Sequence, residues 1–322
     1  MATFAAILDT SSRKSILVTA CDTYPGYMLA REILKHGSKG FKEVHAGYFK
    51  ENKLVNLLKH QGAHCVQLSI DDEKAICNAY SKADVVVVVP PVSDKGWGKG
   101  DCCVYLHAAV KAEVKGLVLC SKVNADKMRE MKMLAPLYAM EEALLHKIKD
   151  KIKCVSMVRC SLDIDLLWLF RDQVAKKHKL CLSVDKDAKF APLVAEDGAH
   201  GLYNMLTNEE FPAGIYELTG PEKLSFVDVA HKVSSAVDKK IEYEHVSRKD
   251  VEHYLHHQGE ICENEICFIG DLFEAVSKRM LCEQTDDLAR LLDHEPMTVK
   301  QFFNKNAKDF NPRSGDDADA SD

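Results

Sequence analysis

Val85-Val-Val-Val-Val89, closed by Pro90-Pro91, is the run that most restricts what this chain can fold into. Consecutive β-branched apolar residues have no polar face to offer water, so they suit a strand covered on both sides. Such strands belong to parallel sheets sandwiched between helices. Other short apolar runs, at 16–18, 42–48, 64–68, 116–120 and 155–159, read as the neighbouring strands. Helical segments are expected between them, at 53–59, 75–80, 102–114 and 134–149, with Asp71, Asp72 and Asp101 placed to cap. Strands alternating with helices of this length mean a doubly wound parallel α/β sheet.

The first unit of that sheet is Ser15-Ile-Leu-Val-Thr-Ala-Cys-Asp-Thr-Tyr-Pro-Gly, running into a helix with Met28, Leu29, Ile33 and Leu34 at helical spacing. Strand, tight turn and helix form the phosphate-cradling unit of a Rossmann domain, where free amides and the positive end of the helix face a pyrophosphate. Glycines normally stand at three positions, each three apart, and this chain has Ala20, Thr23 and Gly26 there. The glycine that lets the helix pack on the strand is kept, and the two that serve a cofactor are replaced. A loop with Trp97, Gly96, Gly98 and Gly100 follows the valine strand, where open α/β sheets hold ligands.

Past Arg159 the alternation loosens. Helices are expected at 162–170, 199–206 and 226–237, a strand and turn at 214–220 and an edge strand at 241–246. The expected architecture is a Rossmann-like domain over 1–160 and a smaller C-terminal α/β lobe over 161–310, interleaved with it. An acidic tail over 311–322 reads as disordered.

A net charge of −6, with Lys and Arg spread along 322 residues, leaves no footprint for nucleic acid or an anionic membrane. No window approaches the roughly 18 apolar residues of a membrane span. The N-terminus has Asp9 and no basic segment, so the expected setting is cytoplasmic. Twelve cysteines sit mostly within apolar runs, as buried thiols do. Four stand out as candidate reactive or cross-linking thiols. Cys102 and Cys103 fall at the expected start of a helix, whose dipole lowers a thiol pKa, and Cys262 and Cys267 follow His253, His256 and His257. The histidine group reads as the polar face of a helix, and no metal site is expected.

In order and spacing these pieces resemble the NmrA-like, atypical branch of the short-chain dehydrogenase/reductase superfamily, over about 15–310. The resemblance rests on the Val-Thr turn, the valine strand with Pro90-Pro91, Ala108-Ala-Val-Lys-Ala-Glu-Val-Lys115, Val158-Arg159, Asp197-Gly198 and Tyr216-Glu-Leu-Thr-Gly-Pro-Glu222. It implies a dinucleotide site on Thr19, Ala20, Asp22, Thr23, Gly26, Phe49, Lys50 and Pro90. Phe49 stands where the resemblance implies an arginine for a 2′-phosphate, with Lys50 beside it, and Ser69 stands in an acidic place. The Tyr-x-x-x-Lys pair of the reductases is missing after every tyrosine; Tyr138 has Glu142 four residues on. The expectation is therefore no or weak NAD(P) binding and no catalytic residues. The chain would be a regulatory or binding scaffold, or a self-assembling and disulfide-linked structural protein, with a homo-oligomer or a protein partner. The alternative is an NAD(P)H-dependent oxidoreductase or NADP(H) sensor.

Overall fold

The computed structural model describes residues 2–9, 14–37, 40–92, 102–259 and 261–311. The glycine-containing loop with Trp97, the cap at Asp101 and the acidic tail beyond Asn311 lie outside them. A short helix, Phe4–Asp9 (α1), precedes five strand–helix units. These are Ser15–Val18 (β1) with Tyr24–Lys35 (α2), Glu43–Tyr48 (β2) with Lys53–His60 (α3), and His64–Gln67 (β3) with Glu73–Tyr80 (α4). Val85–Val88 (β4) with Val104–Lys111 (α5) and Gly116–Lys122 (β5) with Ala135–Ala143 (α6) complete them, and Cys154–Cys160 (β6) follows.

The later chain holds Lys179–Leu182 (β7), Lys189–Phe190 (β8), Ala195–Thr207 (α7), Ile215–Leu218 (β9), Leu224–Ser225 (β10), Phe226–Val237 (α8) and Glu242–His245 (β11). The helices Arg248–His256 (α9), Glu263–Ser277 (α10), Asp287–Leu291 (α11), Val299–Lys305 (α12) and Ala307–Phe310 (α13) close it.

The central sheet has the order β3-β2-β1-β4-β5-β6-β9, every pairing parallel. The doubly wound expectation holds, and β4 is buried along its whole length. The order reverses between β1 and β4, and ligands of such sheets bind outside the carboxyl ends at that point. β9, expected within the smaller lobe, is the seventh strand of the main sheet. The lobe's own strands are few: β7 pairs with β11 and β8 with β10.

Some helix bounds also differ from expectation. α5 begins at Val104, so Cys102 and Cys103 precede it. The segment after β5 is α6 continued by a wider turn, Leu144–Ile148, and a tighter one, Lys149–Lys151. α7 starts four residues before the expected 199, and its first turn carries Glu196 and Asp197, which suit a helix N-terminus. Met131, Met133 and Met140 are buried in the core.

Candidate functional site

Four of the eight residues implied for a cofactor lie in the turn from β1 to α2 and a fifth, Gly26, in the first turn of α2; the turn keeps a glycine-type backbone at Ala20 without the glycine. Ala20 sits at φ +52, in the left-handed region. That conformation costs an L-residue about 1–2 kcal/mol, and glycine far less. Gly26 is irreplaceable: a Cβ there would stand 2.2 Å from the Ala20 carbonyl oxygen and 2.8 Å from that of Thr19. The expectation that this glycine serves close packing is met. Thr19 is wholly buried, its hydroxyl donating to the Val89 carbonyl at 2.8 Å and accepting from the Val89 N–H at 2.9 Å. It braces β1 against β4. The Thr23 hydroxyl donates to the Ala20 carbonyl at 2.7 Å and so helps fix the turn. Pro25, in the first turn of α2, removes one N–H from the amides that would face an anion.

Asp22 changes the character of the place. Its carboxylate accepts the N–H of Phe49 at 3.2 Å and of Lys50 at 2.9 Å, tying the turn to the end of β2. Its own carbonyl accepts from the Asn52 side chain at 2.7 Å. Burial raises the Asp22 pKa, and the two N–H groups pull it back. A buried acid therefore lies between the two loops that hold the phosphates and ribose of a dinucleotide in a binding-competent domain. Beside it, Phe49 is buried and meets Tyr105 edge-on at 5.9 Å, and Tyr105 is buried as well. Lys50 is exposed and Pro90 half-buried. Asp72, next to Ser69 and Asp71, caps α4 by accepting the Ala75 N–H at 2.9 Å.

Further along the carboxyl edge, cations are matched by carboxylates. Lys122 at the end of β5 lies 3.5 Å from Asp163 and donates to the Ser161 carbonyl at 2.9 Å. Arg159 at the end of β6 grips Glu141 through two bonds, of 3.1 and 2.6 Å, and Glu217 through a third of 3.2 Å. Of the two acids that follow Tyr138 on α6, Glu141 is the buried one. Glu142 is half-buried and lies 3.7 Å from His146. The i,i+4 rule selects the residue facing a tyrosine along the helix, but the sheet lies on the side that Glu141 faces.

Tyr24, the first residue of α2, donates its hydroxyl to Asp165 at 3.1 Å, and the same carboxyl accepts the N–H of Ala195, the first residue of α7. Burial pushes the Asp165 pKa up to about 6, with Asp163 adding to the shift and the Ala195 N–H opposing it. Between about pH 4 and 6 the folded chain then holds a proton that the unfolded chain has lost, so this group's contribution to stability falls as pH rises. Its full penalty stands above pH 6. Asp165→Asn is expected to raise stability at pH 7 by about 2 kcal/mol and to change it little at pH 4. Urea unfolding of both proteins at the two pH values checks this; a difference independent of pH rules it out.

The four candidate thiols are not brought together as one group. Cys102 is buried, and Cys103 is half-buried at the cap of α5. Cys262 caps α10, and Cys267 lies on the same helix, its thiol 3.6 Å from Glu263. Burial and that carboxylate push the Cys267 pKa up, against a reactive thiolate. His253, His256 and His257 sit at the end of α9, with His256 3.3 Å from Glu263.

With this geometry in place, comparison with known proteins gives a family match. The sequence profile of the NmrA-like family matches residues 12–303. A stretch of 85 residues is 29% identical to the "uncharacterized oxidoreductase YesF" of Bacillus subtilis, covering 26% of this chain and 29% of that one. The chain thus aligns with less than a third of that curated relative's length. Among solved structures, the triphenylmethane reductase of a Citrobacter species, complexed with NADP(H), superposes with a TM-score of 0.73 at 15% identity, over 91% of this chain and 99% of that one. NmrA, a negative transcriptional regulator in complex with NADP, superposes with a TM-score of 0.66 at 13% identity, over 92% and 95%. At such identities the likeness establishes the fold.

Proposed function

Because the chain belongs to the NmrA-like family, we propose that it uses the family's Rossmann frame as a non-catalytic binding and assembly scaffold. The observation that carries this reading is the Asp22 carboxylate, hydrogen-bonded across the turn to Phe49 and Lys50. A pyrophosphate at the end of α2 would face that charge. At about 5 Å and an effective dielectric of about 20, each pair of like charges costs about 3 kcal/mol. Ala20, Thr23 and Pro25 crowd or remove the amides that would repay it. No tyrosine of the chain has a lysine four residues on to activate it, and Glu141 on α6 is occupied by Arg159. An intracellular setting, in which thiols stay reduced, and self-association belong to the same reading.

A second reading, an NAD(P)H-dependent reductase or NADP(H) sensor, draws on two observations. Ala20 retains the left-handed backbone of a working turn, and Lys50 is exposed at the end of β2, where a 2′-phosphate would sit. The relatives named above, an oxidoreductase and two proteins solved with NADP or NADP(H), also support it.

Restoring the turn separates the two. Calorimetric titration with NADPH is expected to give about a hundredfold tighter binding in the Ala20→Gly/Asp22→Thr/Thr23→Gly variant than in the natural chain. Equal affinity in both would mean that Asp22 does not bar the cofactor.

A further inference from the structure

Away from the strand edge, α2 and α7 pack side by side, and Glu32, His36 and His200 meet between them. Glu32 Oε1 lies 2.9 Å from His36 Nε2 and 2.8 Å from His200 Nδ1. All three ligand atoms fall within 4.8 Å of one another. We propose that this trio is a binding site for a zinc-class divalent cation, clamping the first Rossmann helix to α7.

The donor set is two imidazoles and one carboxylate, a set that zinc takes in sites with a position left for water. Tetrahedral bonds of about 2.0–2.1 Å place neighbouring ligand atoms about 3.3 Å apart, so an opening of about half an ångström fits the ion. Glu32 and His36 are one helical turn apart and face the same way. His36 is held by stacking on Tyr203, ring centres 4.0 Å apart and 10° from parallel. The Glu32 side chain is 8% exposed, against 28% for His36 and 16% for His200, which leaves an approach from solvent.

His200 distinguishes a metal site from a plain hydrogen-bonded hub. Its Nδ1 faces Glu32 at 2.8 Å while its Nε2 faces Asp293 at 3.3 Å. Without a cation, satisfying both carboxylates requires a doubly protonated ring. With a cation at Nδ1, the neutral ring donates Nε2–H to Asp293, the carboxylate–histidine–metal relay that orients zinc ligands. Other groups face the cluster. Lys35 lies 3.5 Å from Glu32 Oε2, the oxygen the cation does not need, and His294 stacks on His200 at 5.7 Å.

The test is titration of the reduced, metal-free full chain with ZnCl2 by calorimetry, and with CoCl2 by visible absorption. One equivalent of each metal is expected to bind, with a cobalt spectrum free of thiolate charge-transfer bands and a higher melting temperature. His200→Gln and Glu32→Gln should abolish that binding. Asp293→Asn, which leaves all three ligands, should weaken it about 10- to 100-fold. Near-ultraviolet circular dichroism confirms that the variants are folded. Absence of binding, a thiolate band, or affinity unchanged in all three variants would overturn the proposal. None of these readouts depends on dinucleotide binding.

Discussion

Gly26→Ala is expected to destabilise the chain by about 4 kcal/mol or more, a large share of the 5–15 kcal/mol that holds a typical domain together. The added methyl would lie 2.2 Å from the Ala20 carbonyl oxygen and 2.6 Å from its carbon, both backbone atoms. Neither can rotate aside. Moving them means moving Ala20, already at φ +52, together with Thr23, which is bonded to it. Denaturant unfolding of the soluble variant, or its recovery in inclusion bodies, checks the effect. A loss below about 1 kcal/mol would mean that the turn has slack and that α2 can back away from β1.

Arg159→Met is expected to cost about 3–4 kcal/mol, because it strands Glu141. The Glu141 side chain is 2% exposed, and both its oxygens bond to the guanidinium. Glu217, 28% exposed, can turn to water and loses less. The second half of the test is Arg159→Met/Glu141→Leu. Replacing a buried pair by apolar side chains of similar volume is often neutral, so the double variant should recover most of the loss. If the double variant is as unstable as the single one, the damage comes from lost packing of the long Arg159 stem and not from an orphaned charge.

These effects arise where the sequence was partly readable. The valine strand and its partners were legible because a strand buried on both faces leaves a run with no polar interruption. α8 was legible to the residue, since Ser225 and Asp228 form a capping box at its start. β9 was harder. Four residues between turns look the same in a small lobe as at the edge of the main sheet, and only the pairing of Met157 with Ile215 decides. β7 was missed because its alternation of Lys179 and Cys181 with Leu180 and Leu182 follows directly on a helical turn.

At the site, the missing glycines and the role of Gly26 could be read from spacing. The carboxylate lock could not. Asp22 reaches backbone 27 and 28 residues away, and no local period encodes a contact that depends on how β1 and β2 align. Nor does spacing along α6 say that Glu141 is the acid the fold buries. Glu32, His36 and His200 were invisible for the same reason: 168 residues separate Glu32 from His200, and the packing of α2 on α7 alone unites them.

The most direct test of the central claim is titration of the natural, reduced chain with NADPH and NADH, followed by calorimetry and nucleotide fluorescence. The account predicts no saturable binding of either up to millimolar concentration, because Asp22 puts a carboxylate in the turn and holds the amides of Phe49 and Lys50 beside it. Saturable binding in the micromolar range would contradict it and return the protein to the cofactor-using members of its family.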